Sequence, residues 1–365
     1  MGKGAHVTPT GVPVSSPALL YAPGFIDIQI NGYGGVNFSE PSTLDAEGIG
    51  KLVHSLWRQG VVYFLPTVVT GGFDSMRRSI DIITASRQDP EIGRSIPGIH
   101  LEGPYISSED GPRGAHPKEH ARPPSWEEFS RWQEAANGAI KLVTLAPELP
   151  GAIGFIDRLR REGILVAIGH TNACSQAIAD AVAAGAMLST HLGNAAHARI
   201  KRHPNYIWDQ LAADGLGMSL IVDGHHLPPA VVKVMIRAKG ALKSLLISDA
   251  APIAGLSPGR YQFAGKAVEL TAEGQVKLLG TDYLAGSALT LPNAVHNVSR
   301  FAQITPKLAL DMASHHPSRL LNHGTGLALE VFDARTFTVL EWQEEELGVS
   351  ATVLGGAVCY AKSAI

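Results

Sequence analysis

The chain has 365 residues, of which 45% are apolar and only 17% charged, enough for one large folded core with a small appendage. A formal net charge of -3 with no Lys/Arg-rich run argues against nucleic acid as a partner and leaves a small molecule as the expected one. Cys174 and Cys359 lie far apart in unrelated contexts, so no disulfide framework is expected, and both read as small buried hydrophobes in a reducing compartment.

The first 22 residues, MGKGAHVTPTGVPVSSPALLYA, hold no apolar stretch of signal-peptide length. No run elsewhere approaches the roughly 18 apolar residues of a membrane helix, so the expectation is a cytoplasmic protein with no membrane partner. Beyond Pro23, eight strand-length apolar runs follow in order: Phe25 to Ile30, Val61 to Leu65, Ile96 to Leu101, Ile140 to Leu145, Ile164 to Ile168, Ala186 to Ser189, Met218 to Val222 and Ser244 to Ile247. Segments with helical apolar spacing, such as Ala46 to Gln59 and Gln176 to Ala184, lie between them. Eight strand–helix repeats predict an α/β fold closed into a (β/α)8 TIM barrel. An open doubly wound sheet is the alternative, but no G-x-G-x-x-G opens a helix after the first run. The stretches Ala328 to Asp333, Phe337 to Leu340 and Val349 to Tyr360 read as closing strands.

In such a barrel the chemistry sits at the C-terminal strand ends. Gln29 and Asn31 follow the first run, Glu102 the third, His170 the fifth, His191 the sixth, the Asp223–Gly224–His225–His226 cluster the seventh and Asp249 the eighth. Any one of these is more often a cap or a satisfied hydrogen bond, but so many at one end of successive strands point to a site. Glu102, His170 and His191 offer one carboxylate and two imidazoles, a ligand set for a catalytic divalent cation that leaves room for water. Zn²⁺ comes first, and Fe²⁺ or another divalent ion fits the same set. Water activated there is the nucleophile of a hydrolysis. Asp249 is placed to take its proton and pass it to a leaving amine. His116, on a loop after the third run, is placed to polarise a carbonyl.

These phrases, PGFIDIQINGYGG, LPTVVTGG, GIHLEGPYIS, GAHP, VTLAPE, AIGHTNA, THLGNAA, VDGHH, LISDAAP and LAGSALTL, occur in this order from about Pro23 to Leu329. Together they resemble the N-acetylglucosamine-6-phosphate deacetylases of the amidohydrolase superfamily. The resemblance implies a barrel with a small β-sandwich formed by the chain termini: a shortened contribution from residues 1–22, the barrel over 23–325 and closing strands over 326–365. It implies hydrolysis of the acetamide of an amino-sugar phosphate, with Glu102, His170 and His191 on the metal, Asp249 as general base and His116 polarising the carbonyl. Asn194, Ala195 and His226 match positions that hold the sugar and its phosphate. Most amidohydrolases carry His-X-His after the first strand for a second metal. Gln29 and Asn31 match the Gln-X-Asn of those deacetylases that lack it, so one metal is expected and the amides mark the vacant second-metal position.

Two departures stand out. The family's phosphate-binding arginine, which reaches the neighbouring subunit of a dimer, aligns with Arg202, but Lys201, His203 and Asn205 around it are unlike the usual residues. The lead-in before Pro23 is short, which predicts a reduced sandwich. A homodimer acting on a small-molecule amino-sugar phosphate is the leading expectation. N-acetylgalactosamine 6-phosphate, an unphosphorylated acetamido sugar or an N-acyl-D-amino acid are alternative substrates, and a catalytically silent sugar-phosphate-binding barrel is a further alternative. His225 and His226 exchange roles if the loop shifts by one residue.

Overall fold

The computed structural model describes residues 19–263, 266–281 and 283–362. Its centre is an eight-stranded parallel sheet curled into a barrel. The barrel strands are β1 (Phe25–Ile30), β2 (Val61–Val69), β3 (Ile99–Glu102), β4 (Ile140–Leu145), β5 (Leu165–Ile168), β6 (Leu188–Ser189), β7 (Gly217–Leu220) and β8 (Ser244–Leu246). Each pairs with its sequence neighbour from β1 through to β8. β1 is buried along its whole length, as expected of a parallel strand covered on both faces. Helices Ala46–Trp57 and Ser175–Ala184 stand where the apolar spacing predicts them. Asp45 caps the first by accepting from Gly48 N, satisfying one of the orphan donors of that end.

The barrel closes at a seam between β1 and the residues just past β8. Asp249 N donates to Gln29 O at 3.0 Å, Asn31 N to Ala250 O at 3.0 Å and Gly32 N to Ala250 O at 3.1 Å. Beneath this seam Asp27 is buried, its Oδ1 accepting from Gln29 N and Ser248 N, each at 3.3 Å. Burial pushes its carboxyl up to about 7 against the opposing hydrogen bonds from Ser248. A carboxyl raised in the folded state stabilises most fully below its ordinary pKa, and that contribution is lost as pH rises through the folded value. The thermal midpoint should therefore fall between about pH 4 and pH 7, and Asp27→Asn should flatten that decline. Parallel midpoint-against-pH curves for the two proteins would remove Asp27 from the linkage.

Inside the barrel, His100 Nε2 meets Thr144 Oγ1 at 2.8 Å, Thr144 Oγ1 meets Thr190 Oγ1 at 2.7 Å, and His100 Nδ1 lies 3.1 Å from Ile28 O. This chain ties β1, β3, β4 and the end of β6 together below the site. Burial holds His100 neutral, with its pKa down to about 4.

Both chain ends contribute to one four-stranded antiparallel sheet, in which Leu19–Ala22 pairs with Phe337–Trp342, followed by Leu347–Leu354 and Ala357–Ala361. It packs on the barrel flank, where Thr352 Oγ1 donates to Trp57 O at 2.6 Å. The expected strand over Ala328 to Asp333 does not form. Helix side chains satisfy that backbone instead: Asn322 Oδ1 accepts from Leu329 N, and Ser318 Oγ donates to Leu329 O, each at 2.8 Å. The barrel strands are also trimmed relative to several of the apolar runs. Arg87 Nε takes Ile96 O at 2.9 Å, so β3 starts only at Ile99. Cys174 is exposed at the start of helix Ser175–Ala184 rather than buried, and Cys359 is half-buried; both are free.

A second four-stranded antiparallel sheet, Gly259–Phe263, Lys266–Leu270, Gln275–Leu278 and Leu284–Ser287, is inserted between β8 and the helix Leu291–Ala302. It has its own small core of Val268, Leu270 and Val276 with Ala251 and Ile253. The sequence does announce it: KAVEL and QVKLL flank TAEG, whose Gly274 takes φ +80 in the turn.

Candidate functional site

Glu102 ends β3, while His170, His191 and Asp249 lie just beyond β5, β6 and β8, so the strand ends bring them to one mouth of the barrel. Glu102, His170 and His191 are buried and Asp249 is half-buried. His170, His191 and Asp249 hold φ values of +52, +30 and +47, a region non-glycine residues rarely occupy and in which strained residues of functional sites are found.

The centre of the cluster is one carboxylate oxygen. Glu102 Oε1 lies 3.0 Å from His170 Nε2, 3.0 Å from His191 Nε2 and 2.7 Å from Gln29 Nε2. The two imidazole Nε2 atoms face each other at 3.1 Å. Burial alone would raise the Glu102 pKa, but the hydrogen bonds from both histidines outweigh it and hold the carboxyl well below its usual range. Burial would likewise depress His191, yet Glu102 lifts it above its ordinary value. His170 Nδ1 is anchored on Pro112 O at 3.0 Å, whereas His191 Nδ1 is buried without a partner among the described residues. Two imidazole nitrogens and an ionised carboxylate converging within hydrogen-bond distance form the donor set of a divalent cation. The residues fit such an ion.

His116 also belongs to this cluster. Ligand atoms of Glu102, His116 and His170 all lie within 4.8 Å of one another, and the His116 and His170 rings are 4.3 Å apart. His116 Nδ1 is tied to Thr70 Oγ1 at 2.7 Å, leaving Nε2 for the site. Burial, reinforced by the neighbouring His170, drives its pKa down to about 3, so the ring is neutral.

Asp249 stands close to Glu102 and His191. Its Oδ1 accepts from Asn31 Nδ2 at 2.8 Å. Burial and then the charge of Glu102 push its carboxyl up to about 6. Each amide of the Gln-X-Asn pair therefore serves one carboxylate of the site, Gln29 on Glu102 and Asn31 on Asp249.

The remaining expected residues divide. Asn194 N and Nδ2 both reach His191 O, at 2.9 and 3.2 Å, so Asn194 and Ala195 begin a turn at the site's edge, with Ala195 at φ +45. Gly114, in the loop after β3 beside the His170 ring, holds φ +59, a left-handed conformation that glycine adopts without strain. His226 Nδ1 donates to Asp223 Oδ2 at 2.6 Å, while Asp223 Oδ1 accepts from the backbone N of His225 and of His226, each at 2.8 Å. His225 is spent on the inserted sheet: Gln275 Nε2 lies 2.8 Å from its Nδ1, and its Nε2 faces Glu273 O at 3.3 Å. Between the two histidines, His226 has the ring nitrogen left over. Arg202 is exposed on the loop before helix Tyr206–Ala212, outside the cluster.

The inserted sheet and the loops after β3 and β6 line an open cleft of about 790 Å³, with Gly114, Ala115, Ala196, Phe263, Tyr283 and the cations Arg199 and Lys266 in its walls. Thr70 and Asp223 were not singled out from the sequence for these supporting contacts, nor was His100. The signal for His100 was its period-two spacing from Glu102, which points both side chains the same way.

Among the described residues no helix is long and apolar enough to cross a membrane. Residues 20–331 match the family model described as the amidohydrolase family. An N-acetylglucosamine-6-phosphate deacetylase from Bacillus subtilis is 36% identical over 80% of this chain and 73% of its own length. The human protein of the same name is 34% identical over 93% of this chain and 83% of its own, and an N-acetylgalactosamine-6-phosphate deacetylase of Escherichia coli O157:H7 is 32% identical over 87% and 82%. The solved N-acetyl-D-glucosamine-6-phosphate deacetylase of Mycobacterium smegmatis matches with a TM-score of 0.83 at 28% identity, covering 97% of this chain and 91% of that one. With these relatives the chain belongs to the amidohydrolase family, among the N-acetylglucosamine-6-phosphate deacetylases.

Proposed function

We propose that the protein hydrolyses the acetamide of N-acetylglucosamine 6-phosphate, giving glucosamine 6-phosphate and acetate. The observation that carries this reading is the convergence of Glu102, His170, His191, His116 and Asp249 at one mouth of the barrel.

Glu102, His170 and His191 would hold one divalent cation, Zn²⁺ in our assignment, which when bound supplies electrostatic activation of water and of the amide carbonyl. His191 is preferred to His116 as the third ligand because its Nε2 already shares both Glu102 Oε1 and His170 Nε2 as close neighbours. Gln29 fills the position of a second ion by donating to Glu102. His116 acts as the Nε2–H tautomer, the single Thr70 hydroxyl proton going to its Nδ1 at 2.7 Å in preference to Glu102 O at 3.3 Å, and its Nε2–H bonds the acetamide oxygen. Asp249 accepts a proton from the attacking water and returns it to the nitrogen as the C–N bond breaks. Its raised pKa suits both halves of that exchange.

His226, held by Asp223 with Nε2 outward, and the turn at Asn194 and Ala195 bind the sugar and phosphate, and Arg202 reaches the phosphate of a partner subunit in a cytoplasmic homodimer. Support for Arg202 is its alignment and its exposure.

Acetate release from N-acetylglucosamine 6-phosphate, its galactosamine isomer and unphosphorylated N-acetylglucosamine should be followed against metal content. N-acetylglucosamine 6-phosphate should show the highest kcat/KM, exceeding the unphosphorylated sugar by at least roughly a hundredfold. Equal turnover with and without phosphate would remove the phosphate site, and no acetate from any of the three would remove the deacetylase reading.

A further inference from the structure

None of the clustered side chains comes from β4, yet the segment just past that strand ends in a carboxylate bonded to the loop that follows His170. Glu148 is half-buried, and both of its oxygens are taken. Its Oε2 accepts from Thr171 Oγ1 at 2.5 Å and its Oε1 from the backbone N of Asn172 at 2.6 Å. Hydrogen bonds to a carboxylate are short and strong, and these two fall on the two residues next in the chain after His170.

His170 needs such support. Its φ of +52 is one that a residue with a Cβ keeps only where the surroundings impose it. The link from β5 to the helix Ser175–Ala184 has no helix or strand bonds of its own, so side chains must fix it. Before His170, Gly169 N donates to Leu145 O at 3.1 Å and carries the β4–β5 pairing one residue further. After it, Glu148 takes over, so one short stretch, Leu145 to Glu148, grips the backbone on both sides of the histidine. Thr171 Oγ1 in turn accepts from Ala173 N at 3.0 Å, and His170 O accepts from Ser107 N at 3.0 Å. The ring, anchored on Pro112 O, then has its Nε2 at Glu102 Oε1.

Resting on the metal assignment above, we infer that Glu148 is a positioning residue for the proposed ligand His170: by holding Thr171 and Asn172 it keeps the reversed backbone that sets the imidazole Nε2 against Glu102. It touches neither substrate nor ion. Without the carboxylate, Asn172 N turns to water, the backbone at His170 relaxes out of the left-handed region, and Nε2 moves away from Oε1. The loss falls on affinity for the ion, because a ligand that must be re-ordered on binding binds more weakly than one already in place. The hydrolysis itself makes no use of Glu148, so protein saturated with the ion keeps its kcat.

The test is Zn²⁺ affinity by chelator competition for the wild-type protein, Glu148→Ala, Glu148→Gln and Thr352→Val. Thr352→Val cuts the buried bond to Trp57 O ahead of β2, at the end of the barrel away from the mouth, and reports what a plain loss of stability does. Glu148→Ala should weaken Zn²⁺ binding roughly ten- to hundredfold, the usual effect of losing a group that orients a metal ligand. Glu148→Gln keeps an oxygen for Asn172 N and should lose no more than roughly fivefold. Thr352→Val should melt earlier and bind Zn²⁺ as the wild type does. Wild-type affinity in Glu148→Ala, or equal losses in Glu148→Ala and Thr352→Val, would overturn the inference. So would a kcat still down by more than roughly tenfold at saturating Zn²⁺, which would place Glu148 in the reaction. If the alanine variant misfolds, Thr171→Val removes one of the two bonds at nearly constant shape; it should lose roughly three- to tenfold, and wild-type affinity there overturns the inference equally. A wild-type protein that binds no Zn²⁺ in the same competition sinks the metal reading itself, before any substitution is made.

Discussion

Asp249→Asn should lower kcat on N-acetylglucosamine 6-phosphate by roughly 10²–10⁴-fold while leaving the metal content unchanged. The substitution is close to isosteric and keeps an oxygen for the Nδ2 of Asn31, so the seam that holds residue 249 to Gln29 through its backbone stays intact. What disappears is a group that can carry a proton between water and nitrogen. The loss belongs in kcat rather than KM, because the proton moves only along the reaction and contributes little to holding the ground-state sugar. Steady-state kinetics with metal quantification on the same sample decide it. Turnover within tenfold of wild type in a metal-loaded variant would take Asp249 out of this role.

Glu102→Gln should have a comparably large effect by a different route. Glu102 Oε1 is the point on which His170, His191 and Gln29 converge, and its carboxylate is the single negative charge among them. A glutamine there removes that charge and sets an amide against the amide of Gln29 and the two rings. Metal affinity should fall by more than roughly a hundredfold, since loss of even a supporting contact to a ligand costs roughly ten- to hundredfold. Activity should vanish in dialysed protein and return only in part at millimolar added metal. Metal analysis after dialysis, followed by an activity titration with Zn²⁺, separates this from the Asp249 variant, which keeps its ion. A Glu102→Gln protein that retains one ion per chain through dialysis would rule out Glu102 as a ligand.

Much of this arrangement could be read from the chain because the barrel converts sequence order into spatial order. Once strand and helix alternate eight times, the residue after each strand has a known place, and Glu102, His170, His191 and Asp249 could be assembled from spacing alone. His116 was harder, since it comes from a loop whose reach no periodicity sets, and its role rested on chemistry and on the resemblance. The partners of the amides were beyond the sequence. Spacing placed Gln29 and Asn31 on one face of β1, but that each pairs with a different carboxylate depends on how β1 meets β3 on one side and the end of β8 on the other. The inserted sheet lies outside the strand–helix alternation, and its signal is local: KAVEL and QVKLL on either side of the turn TAEG. The stretch from Ala328 failed as a strand for a local reason: Ser318 and Asn322 on the neighbouring helix offer that backbone partners that strand propensity does not count.

The seam between β1 and the end of β8 joins closure of the ring to the placement of the proposed base. The groups proposed to hold the ion come from β3, β5 and β6, away from that joint in the strand order. Asp249 is held where its backbone reaches Gln29 and its side chain meets Asn31. A substitution that loosens the joint should therefore displace the proposed base more than the proposed ligands.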